Sequence, residues 1–299
     1  LAYETARDED LPADFADLAA RITAAEQARG AARVDPPEQE VNREDGHIRL
    51  AYRPRRAAED NNAALSLATN LAVADALFAH KTGLFRVMAA PDAPAVMRLR
   101  HTAKAMGLDW PSAMGLDEFS RRLRGVDPKQ AAFMLAIRRA GTGASYAPYR
   151  AGEVPWHAAV GATYAHATAP LRRLADRYVI RAALAVANGQ AVPHEVEATF
   201  ARLPKVMGRA DARAGQIDRA VIDLAEAVLL SGREGQHFTA NVIDADDHHA
   251  KVQLCDLPVV VRIERAGAVA GAAMILTLDS VDVAKRQVHF SQFAEPDWP

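Results

Sequence analysis

Four arginines lie within ten residues of the segment 164–181, which reads YAHATAPLRRLADRYVIR. A guanidinium group can donate two parallel hydrogen bonds to a phosphate, so such a cluster is typical of phosphate recognition. The whole chain carries a net charge of −2, and bulk charge therefore does not predict binding to a polyanion. The cluster indicates a local phosphate site.

The position of Pro170 suggests how the cluster is arranged. Proline is favoured in the first turn of a helix, so we expect a helix from Pro170 to about Asn188 with Arg172 and Arg173 in its first turn. Free amides and the helix dipole favour an anion there, and a phosphate would neutralise both arginines. For Arg177 and Arg181 the favoured interpretation is pairing with carboxylates on an exposed helix face.

Around this segment the hydrophobic periodicity predicts an α+β fold. Residues 1–232 are mostly helical in pattern, although residues 31–58 are charged and irregular. Residues 233–299 contain five short strand candidates separated by turn residues, which is the size of a five-stranded OB-type β-barrel. We therefore predict two domains, 1–232 and 233–299.

The composition restricts where the protein works. The single cysteine, Cys255, excludes an internal disulfide and fits a reducing compartment; its place in a strand candidate predicts a buried thiol. No apolar run approaches the ~20 residues of a membrane span, and the start has no signal-peptide pattern. We expect a cytoplasmic monomer that does not associate with membranes. The absence of an initiator methionine indicates a processed N-terminus or a fragment of a longer chain.

The arginine segment resembles a known signature. It is similar to the pattern Y-x-H-x-T-S-P-I-R-R-x-x-D of the ribonuclease II (RNB) exoribonucleases, and the residues in register are Tyr164, His166, Thr168, Pro170, Arg172, Arg173 and Asp176. Weaker resemblance extends over roughly residues 10–295. It includes NAALSLATNLAVADALF followed by GLFRV, the helix-like segment that begins LPKVMGRADARAGQ, and the strand-rich tail, which resembles the OB-fold RNA-binding barrel of the family.

The resemblance implies hydrolysis of single-stranded RNA from its 3′ end, with magnesium, to nucleoside 5′-monophosphates. It implies that Arg172 holds the phosphate near the scissile bond and that Tyr164, His166, Thr168 and Arg173 contact the substrate. His166 is equally well interpreted as a hydrogen-bonded structural histidine. By alignment, Asp218 would help to position the 3′ end, where the family usually has the longer glutamate.

Asp211 and Asp218 are seven residues apart and would share one face of a helix, with Gly215 between them. A small residue there would let a ligand approach closely. The alternative of two solvated carboxylates that pair with Arg213 or Arg219 stays open.

The aspartate-rich motif that holds magnesium in this family, D-x-x-x-x-x-D-x-D-D, is not found upstream of residue 164. The sequence DADDHH (244–249) reads as a solvated hairpin loop. We therefore expect no metal ligands in this chain and magnesium ligands outside it, in the other half of a longer polypeptide.

Two alternatives remain. The first is a non-catalytic RNA-binding relative that retains the arginine segment, and the second is a helical-plus-OB protein that does not bind RNA. The tail is acidic and has few aromatic residues (Phe238, Phe290 and Phe293), which predicts a barrel that guides RNA weakly.

Overall fold

The protein is described by a computed structural model that divides into two compact units. The described residues are 5, 7, 10–31, 38–44, 47–53, 56–124, 127–141, 143–245, 248–264, 268–269 and 271–293. The first unit comprises Leu1–Arg33, Arg55–Pro91 and Gly141–Arg213; the second comprises Val34–Pro54, Asp92–Ala140 and Ala214–Pro299.

Eight helices and eleven strands are present within the described residues. The helices are α1 (Phe15–Ala28), α2 (Ala57–Ala79), α3 (Ala93–Ala105), α4 (Leu116–Ser120), α5 (Pro128–Ala140), α6 (Leu174–Ala187), α7 (His194–Phe200) and α8 (Leu203–Leu230). The strands are β1 (Glu38–Glu44), β2 (His47–Arg53), β3 (Leu84–Val87), β4 (Ser145–Pro148), β5 (Trp156–His157), β6 (Ala162–Thr163), β7 (His237–Ala245), β8 (His249–Leu254), β9 (Val260–Glu264), β10 (Ala273–Asp282) and β11 (Gln287–Gln292).

The core of the first unit is formed by α2, α6, α7, the start of α8 and strands β3 and β4. Its most buried large side chains include Leu77, Phe85 and Val179. In α2 the buried positions follow helical spacing and are Ala64, Leu67, Asn70, Ala74 and Leu77. This single buried stripe orients the helix, and it contains one polar residue, Asn70.

Strand β3 lies at the centre of a small β layer in the same unit. On one side it pairs antiparallel with β4, with Arg86 opposite Tyr146. On the other side the amide of Arg86 donates to the carbonyl of Tyr164 at 2.7 Å, and that of Met88 to the carbonyl of Trp156 at 3.1 Å. The strand therefore holds the start of the arginine segment in place.

The second unit contains the predicted barrel. Its five antiparallel strands have the order β11-β10-β7-β8-β9, and buried residues alternate along β7 and β9. Phe238 and Phe290 are buried and meet edge to face, with ring centroids 5.8 Å apart. The predicted α+β class, a largely helical portion followed by an OB-type barrel, is confirmed.

Helices α3, α4 and α5 of this unit pack around an aromatic group, in which the rings of Trp110 and Phe119 stack 4.9 Å apart. Helix α5 begins at Pro128, a residue type favoured in the first turn of a helix. The carboxylate of Asp127, just before Pro128, accepts hydrogen bonds from the amides of Lys129 and Gln130.

The expectation that residues 31–58 are irregular was wrong. Strands β1 and β2 form an antiparallel hairpin in register from Glu38 opposite Arg53 to Glu44 opposite His47. Leu50 is buried and joins the hydrophobic core of the second unit. The alternation of apolar and charged residues in β2 is therefore that of a half-buried strand.

The prediction of a buried thiol at residue 255 was also wrong. Strand β8 ends at Leu254, and Cys255 is exposed. The amide of Asn241 donates to its sulfur at 3.5 Å. The partial burial of this thiol still raises its pKa.

Helix α2 begins at Ala57, directly after Arg56. The amide of Arg56 donates to the Glu59 carboxylate at 3.0 Å and satisfies one free N–H of the first turn. By length and composition α2 could cross a membrane, with a window of mean hydropathy 1.3. One such helix is weak evidence, because core helices meet the same criterion.

Candidate functional site

The helix of the arginine segment begins later than predicted. Residues 170–172 form a turn, Arg173 is the extended N-cap residue (φ −122°, ψ 114°), and α6 starts at Leu174. The amides of Arg172 and Arg173 both donate to the carbonyl of Ala169, at 3.3 and 2.9 Å. The expectation that both arginines lie in the first helical turn was therefore wrong, and these two amides are not available to an anion.

The physical reason for the late start is Asp176, the third residue of α6, whose side chain is fully buried. Its carboxylate accepts the amide of Ala169 at 2.8 Å. It also accepts two hydrogen bonds from Arg173, from Nε at 2.9 Å and from Nη2 at 2.8 Å. A buried charge is tolerated when it is paired and hydrogen-bonded in this way. Asp176 thus fixes the turn from Ala169 to Arg173 against the helix.

Arg172 has an exposed side chain, and among the described residues it has no hydrogen-bond or ion-pair partner. Arg177, on α6, is likewise exposed and has no partner among these residues, so the carboxylate pairing expected for Arg177 was wrong. Arg173 is held by Asp176, and Arg181 pairs with Glu195 at 2.7 Å, which confirms carboxylate pairing for that residue. A fixed backbone that presents an unpaired guanidinium group is suited to binding an anion.

Asn70 holds the segment just before this turn. Its Oδ1 accepts the amide of Ala167 at 2.8 Å, and its Nδ2 donates to the hydroxyl of Tyr164 at 2.9 Å and to that of Thr168 at 3.4 Å. The Asn70 side chain comes from α2, more than 90 residues earlier in the chain. It therefore joins a core helix to three residues of the arginine segment.

An aromatic and histidine cluster lies beside this segment. The guanidinium carbon of Arg86 is 4.5 Å from the ring centroid of Tyr146, and the Tyr146 hydroxyl is 3.0 Å from Nδ1 of His166. The ring of Tyr164 meets His166 edge to face at 5.3 Å and His157 at 5.5 Å. These contacts orient Tyr164 and His166.

Both histidines of the cluster are held neutral. Burial, with a contribution from Arg173, lowers the pKa of His166 to about 3. Burial, with a contribution from Arg86, lowers the pKa of His157 to about 4. Neither imidazole can therefore exchange a proton efficiently near neutral pH. The geometry of His166 favours the structural interpretation, and its contact with RNA stays a prediction.

Asp211 and Asp218, both on α8, are exposed. Asp211 lies 3.9 Å from the guanidinium group of Arg86. Asp218 belongs to the part of α8 in the second unit, whereas Arg172 belongs to the first. The proposed role of Asp218 at the RNA 3′ end stays a prediction.

The described residues contain no group of three or more histidine, cysteine, aspartate or glutamate side chains that could hold a metal ion. The described part of the chain thus provides no carboxylate cluster that fits a magnesium site. Residues 246 and 247 of the DADDHH sequence lie outside the described part of the chain.

The sequence indicated Tyr164, His166, Thr168 and Arg173, and the structure brings these four into one cluster within the first unit. Sequence analysis missed four further residues that complete the cluster, namely Asn70, Arg86, Tyr146 and His157. A signal existed for Asn70, since a polar residue on the apolar stripe of a helix needs a hydrogen-bond partner. Contacts across the β layer carry no comparable local signal.

Comparison with known proteins gives two family matches. Residues 5–188 match the RNB domain, and residues 236–292 match the RNase II-type exonuclease C-terminal S1 domain. A comparison with curated protein sequences gives no match. The predicted boundary at residue 232 falls between the two matches and stays a prediction.

Solved structures with the same fold include ribonucleases. RNase R of Mycoplasma genitalium, in complex with ribose methylated single-stranded RNA, has a TM-score of 0.78 and 17% identity over 93% of this chain and 49% of its own. The Dss1 exoribonuclease active site mutant D477N of Candida glabrata has a TM-score of 0.69 and 12% identity over 96% of this chain and 37% of its own. Yeast Ssd1, a pseudonuclease, has a TM-score of 0.54 and 18% identity over 76% of this chain and 30% of its own.

The chain spans about half the length of the RNase R chain that it matches. Because the RNB match covers more than half of the 299 residues and includes the arginine segment, this chain belongs to the RNB family and carries an RNase II-type S1 domain at its C-terminal end.

Proposed function

We propose that this chain is the RNA-holding part of a hydrolytic 3′–5′ exoribonuclease that degrades single-stranded RNA to nucleoside 5′-monophosphates. One observation carries the proposal: Arg172 is exposed and unpaired on a turn that buried Asp176 fixes. Membership of the RNB family and the fold shared with an RNase R bound to single-stranded RNA support it. A cytoplasmic monomer is part of the same proposal.

In this proposal the Arg172 guanidinium binds the phosphate next to the scissile bond. Two parallel N–H donors match the two free oxygens of a phosphodiester. As negative charge builds up on these oxygens during hydrolysis, the same contact becomes stronger, and such contacts accelerate the reaction. Magnesium would be held by residues outside this chain, because the described residues do not provide a site for it.

The test is removal of this guanidinium group. We expect Arg172→Ala to lower the rate of RNA shortening by the complete natural polypeptide with magnesium at least about 100-fold, the scale measured for single donors of this kind. The measurement follows a 5′-labelled single-stranded oligoribonucleotide, and chromatography identifies the mononucleotides released.

Arg181→Ala is the matched control, since it removes the same charge from a residue that already pairs with Glu195. We expect this variant to keep near-normal activity. Near-normal activity of Arg172→Ala would remove Arg172 from the mechanism.

A second candidate is a non-catalytic RNA-binding protein. Two findings favour it: the described residues hold no metal-ligand group, and the pseudonuclease Ssd1 shares the fold. The same assay separates the two candidates. If the complete natural polypeptide with magnesium binds single-stranded RNA but releases no nucleotides, it is a non-catalytic RNA-binding protein.

A further inference from the structure

We propose that Asn70 is a positioning residue that sets the place of Arg172 through the backbone between them. The inference rests on the proposed function, in which Arg172 binds an RNA phosphate. It assigns a task to a side chain that lies in the core and does not need to touch RNA.

The first support is the burial of Asn70. It is 2% exposed and occupies a position of α2 where the neighbouring stripe residues are Leu67 and Ala74. An amide in such a place costs free energy unless it is hydrogen-bonded. An apolar residue would serve the packing of α2 alone, so the amide is explained by the groups that it holds.

The second support is the position of the three groups that form hydrogen bonds with the Asn70 side chain. All three reach the segment 164–168, and the amide of Ala167, itself buried, has Asn70 Oδ1 as its acceptor at 2.8 Å. A backbone amide bonded to a side chain of a core helix cannot slide along that helix without losing the bond. The segment is thus fixed to α2 one residue before the exposed Thr168.

The third support is the short path from this anchor to Arg172. Ala169 is held by Asp176 through its amide, and its carbonyl accepts the amide of Arg172 at 3.3 Å. Two anchors therefore bracket the turn, Asn70 on α2 and Asp176 on α6. Loss of the first removes the bond nearest to the turn on its N-terminal side and leaves the pairing of Tyr164 with Arg86 as the next backbone anchor. The guanidinium group of Arg172 then samples more positions and binds a phosphate less well.

The experiment is a double-mutant cycle on RNA affinity. The 299-residue chain and its Asn70→Ala, Arg172→Ala and double variants are titrated into a fluorescein-labelled single-stranded oligouridylate, and anisotropy gives the Kd. We expect each single variant to lose about 10-fold in affinity, the scale of one hydrogen bond to a charged group. In the Arg172→Ala background, Asn70→Ala should cost less than about 3-fold, because its effect acts through Arg172.

Thr82→Ala is the matched control for a general loss of stability. Thr82 is also buried in the first unit, and its hydroxyl donates to Glu197 at 3.0 Å, away from the arginine segment. We expect it to change the Kd less than about 2-fold in both backgrounds. If Asn70→Ala does not fold, Asn70→Ser replaces it in the cycle, since a serine hydroxyl is too short to reach all three partners.

The outcomes separate the two proposals. If the parent chain does not bind the oligouridylate, or if Arg172→Ala binds it as well as the parent chain, the proposed phosphate contact fails and the role of Asn70 fails with it. If Arg172→Ala weakens binding but Asn70→Ala costs the same in both backgrounds, or costs nothing, only the positioning role is overturned.

Discussion

His157 and His166 are buried beside arginines, and this determines how the protein responds to acid. Their pKa values fall to about 4 and about 3 because of burial and, second, because of Arg86 and Arg173 respectively; Asp176 opposes the effect at His166. Between these values and about 6.5 the unfolded chain binds protons that the folded protein does not. Its free energy of unfolding should therefore be highest above pH 7 and should fall as the pH drops below about 6.5.

His157→Phe tests this, because it removes a titrating group while a ring still faces Tyr164. We expect denaturant titrations between pH 4.5 and 7 to give a shallower loss of stability for the variant, by up to about 1.4 kcal/mol per pH unit. The matched control is His194→Gln, an exposed site that leaves both buried imidazoles in place. Identical pH dependence in His157→Phe and the parent protein would show that His157 takes up a proton without unfolding.

At the scale of elements, the turn between β5 and β6 carries a specific constraint. Gly161 has φ +66°, and a Cβ placed on it would lie 3.0 Å from the carbonyl oxygen of Arg29 and 3.3 Å from the amide of Ala31. We expect Gly161→Ala to lower the free energy of unfolding by about 2–3 kcal/mol, from the left-handed backbone and the backbone contact together. Chemical denaturation measures the loss.

Gly152→Ala separates these two causes. Gly152 also has positive φ, +84°, but a Cβ there meets no atom within 4 Å. We expect it to cost about 1 kcal/mol, from the backbone conformation alone. Equal losses in the two variants would show that the segment from Arg29 to Ala31 moves aside without cost.

The start of α6 shows that a local sequence rule can place the start of a helix wrongly. Proline at residue 170 predicted a helix from that residue, yet the helix begins at Leu174. The buried carboxylate of Asp176 takes the Ala169 amide and the Arg173 guanidinium, and these bonds require a turn. Sequence could identify the residues of the site, but only packing around Asp176 and Asn70 decides their conformation.

Elements with strong local signals were predictable, among them the five barrel strands, β3 and the start of α5 at Asp127-Pro128. The hairpin of β1 and β2 was missed because its charged residues obscured a two-residue alternation. A signal was present, since Asp45-Gly46 lies between the two strands in the sequence and this pair favours tight hairpin turns. Asn70 could likewise have been identified as a residue in need of partners, although its partners could not.

For the whole molecule, the net charge indicates whether RNA would be attracted by the surface in general or bound only at local sites. The chain has a net charge of −2, and residues 233–299 contain six basic and ten acidic residues, a net charge of −4. Phe238 and Phe290 are buried in the barrel and cannot stack on bases. The ring of Phe293 lies 4.3 Å from that of the exposed His237. In the proposed function, affinity for RNA would therefore come from a few local contacts, in line with the expectation that the barrel guides RNA weakly.

Few local contacts predict a shallow dependence of affinity on salt. For single-stranded nucleic acid the slope of log K against log salt concentration is about −0.7 for each phosphate contact. We expect single-stranded RNA to bind the 299-residue chain with a slope of a few such contacts, and Arg172→Ala to reduce its magnitude by about 0.7. Arg181→Ala should leave the slope unchanged, because this guanidinium group already pairs with Glu195. Anisotropy titrations between 50 and 300 mM salt measure it; a complete absence of binding at the lowest salt would instead support a helical-plus-OB protein that does not bind RNA.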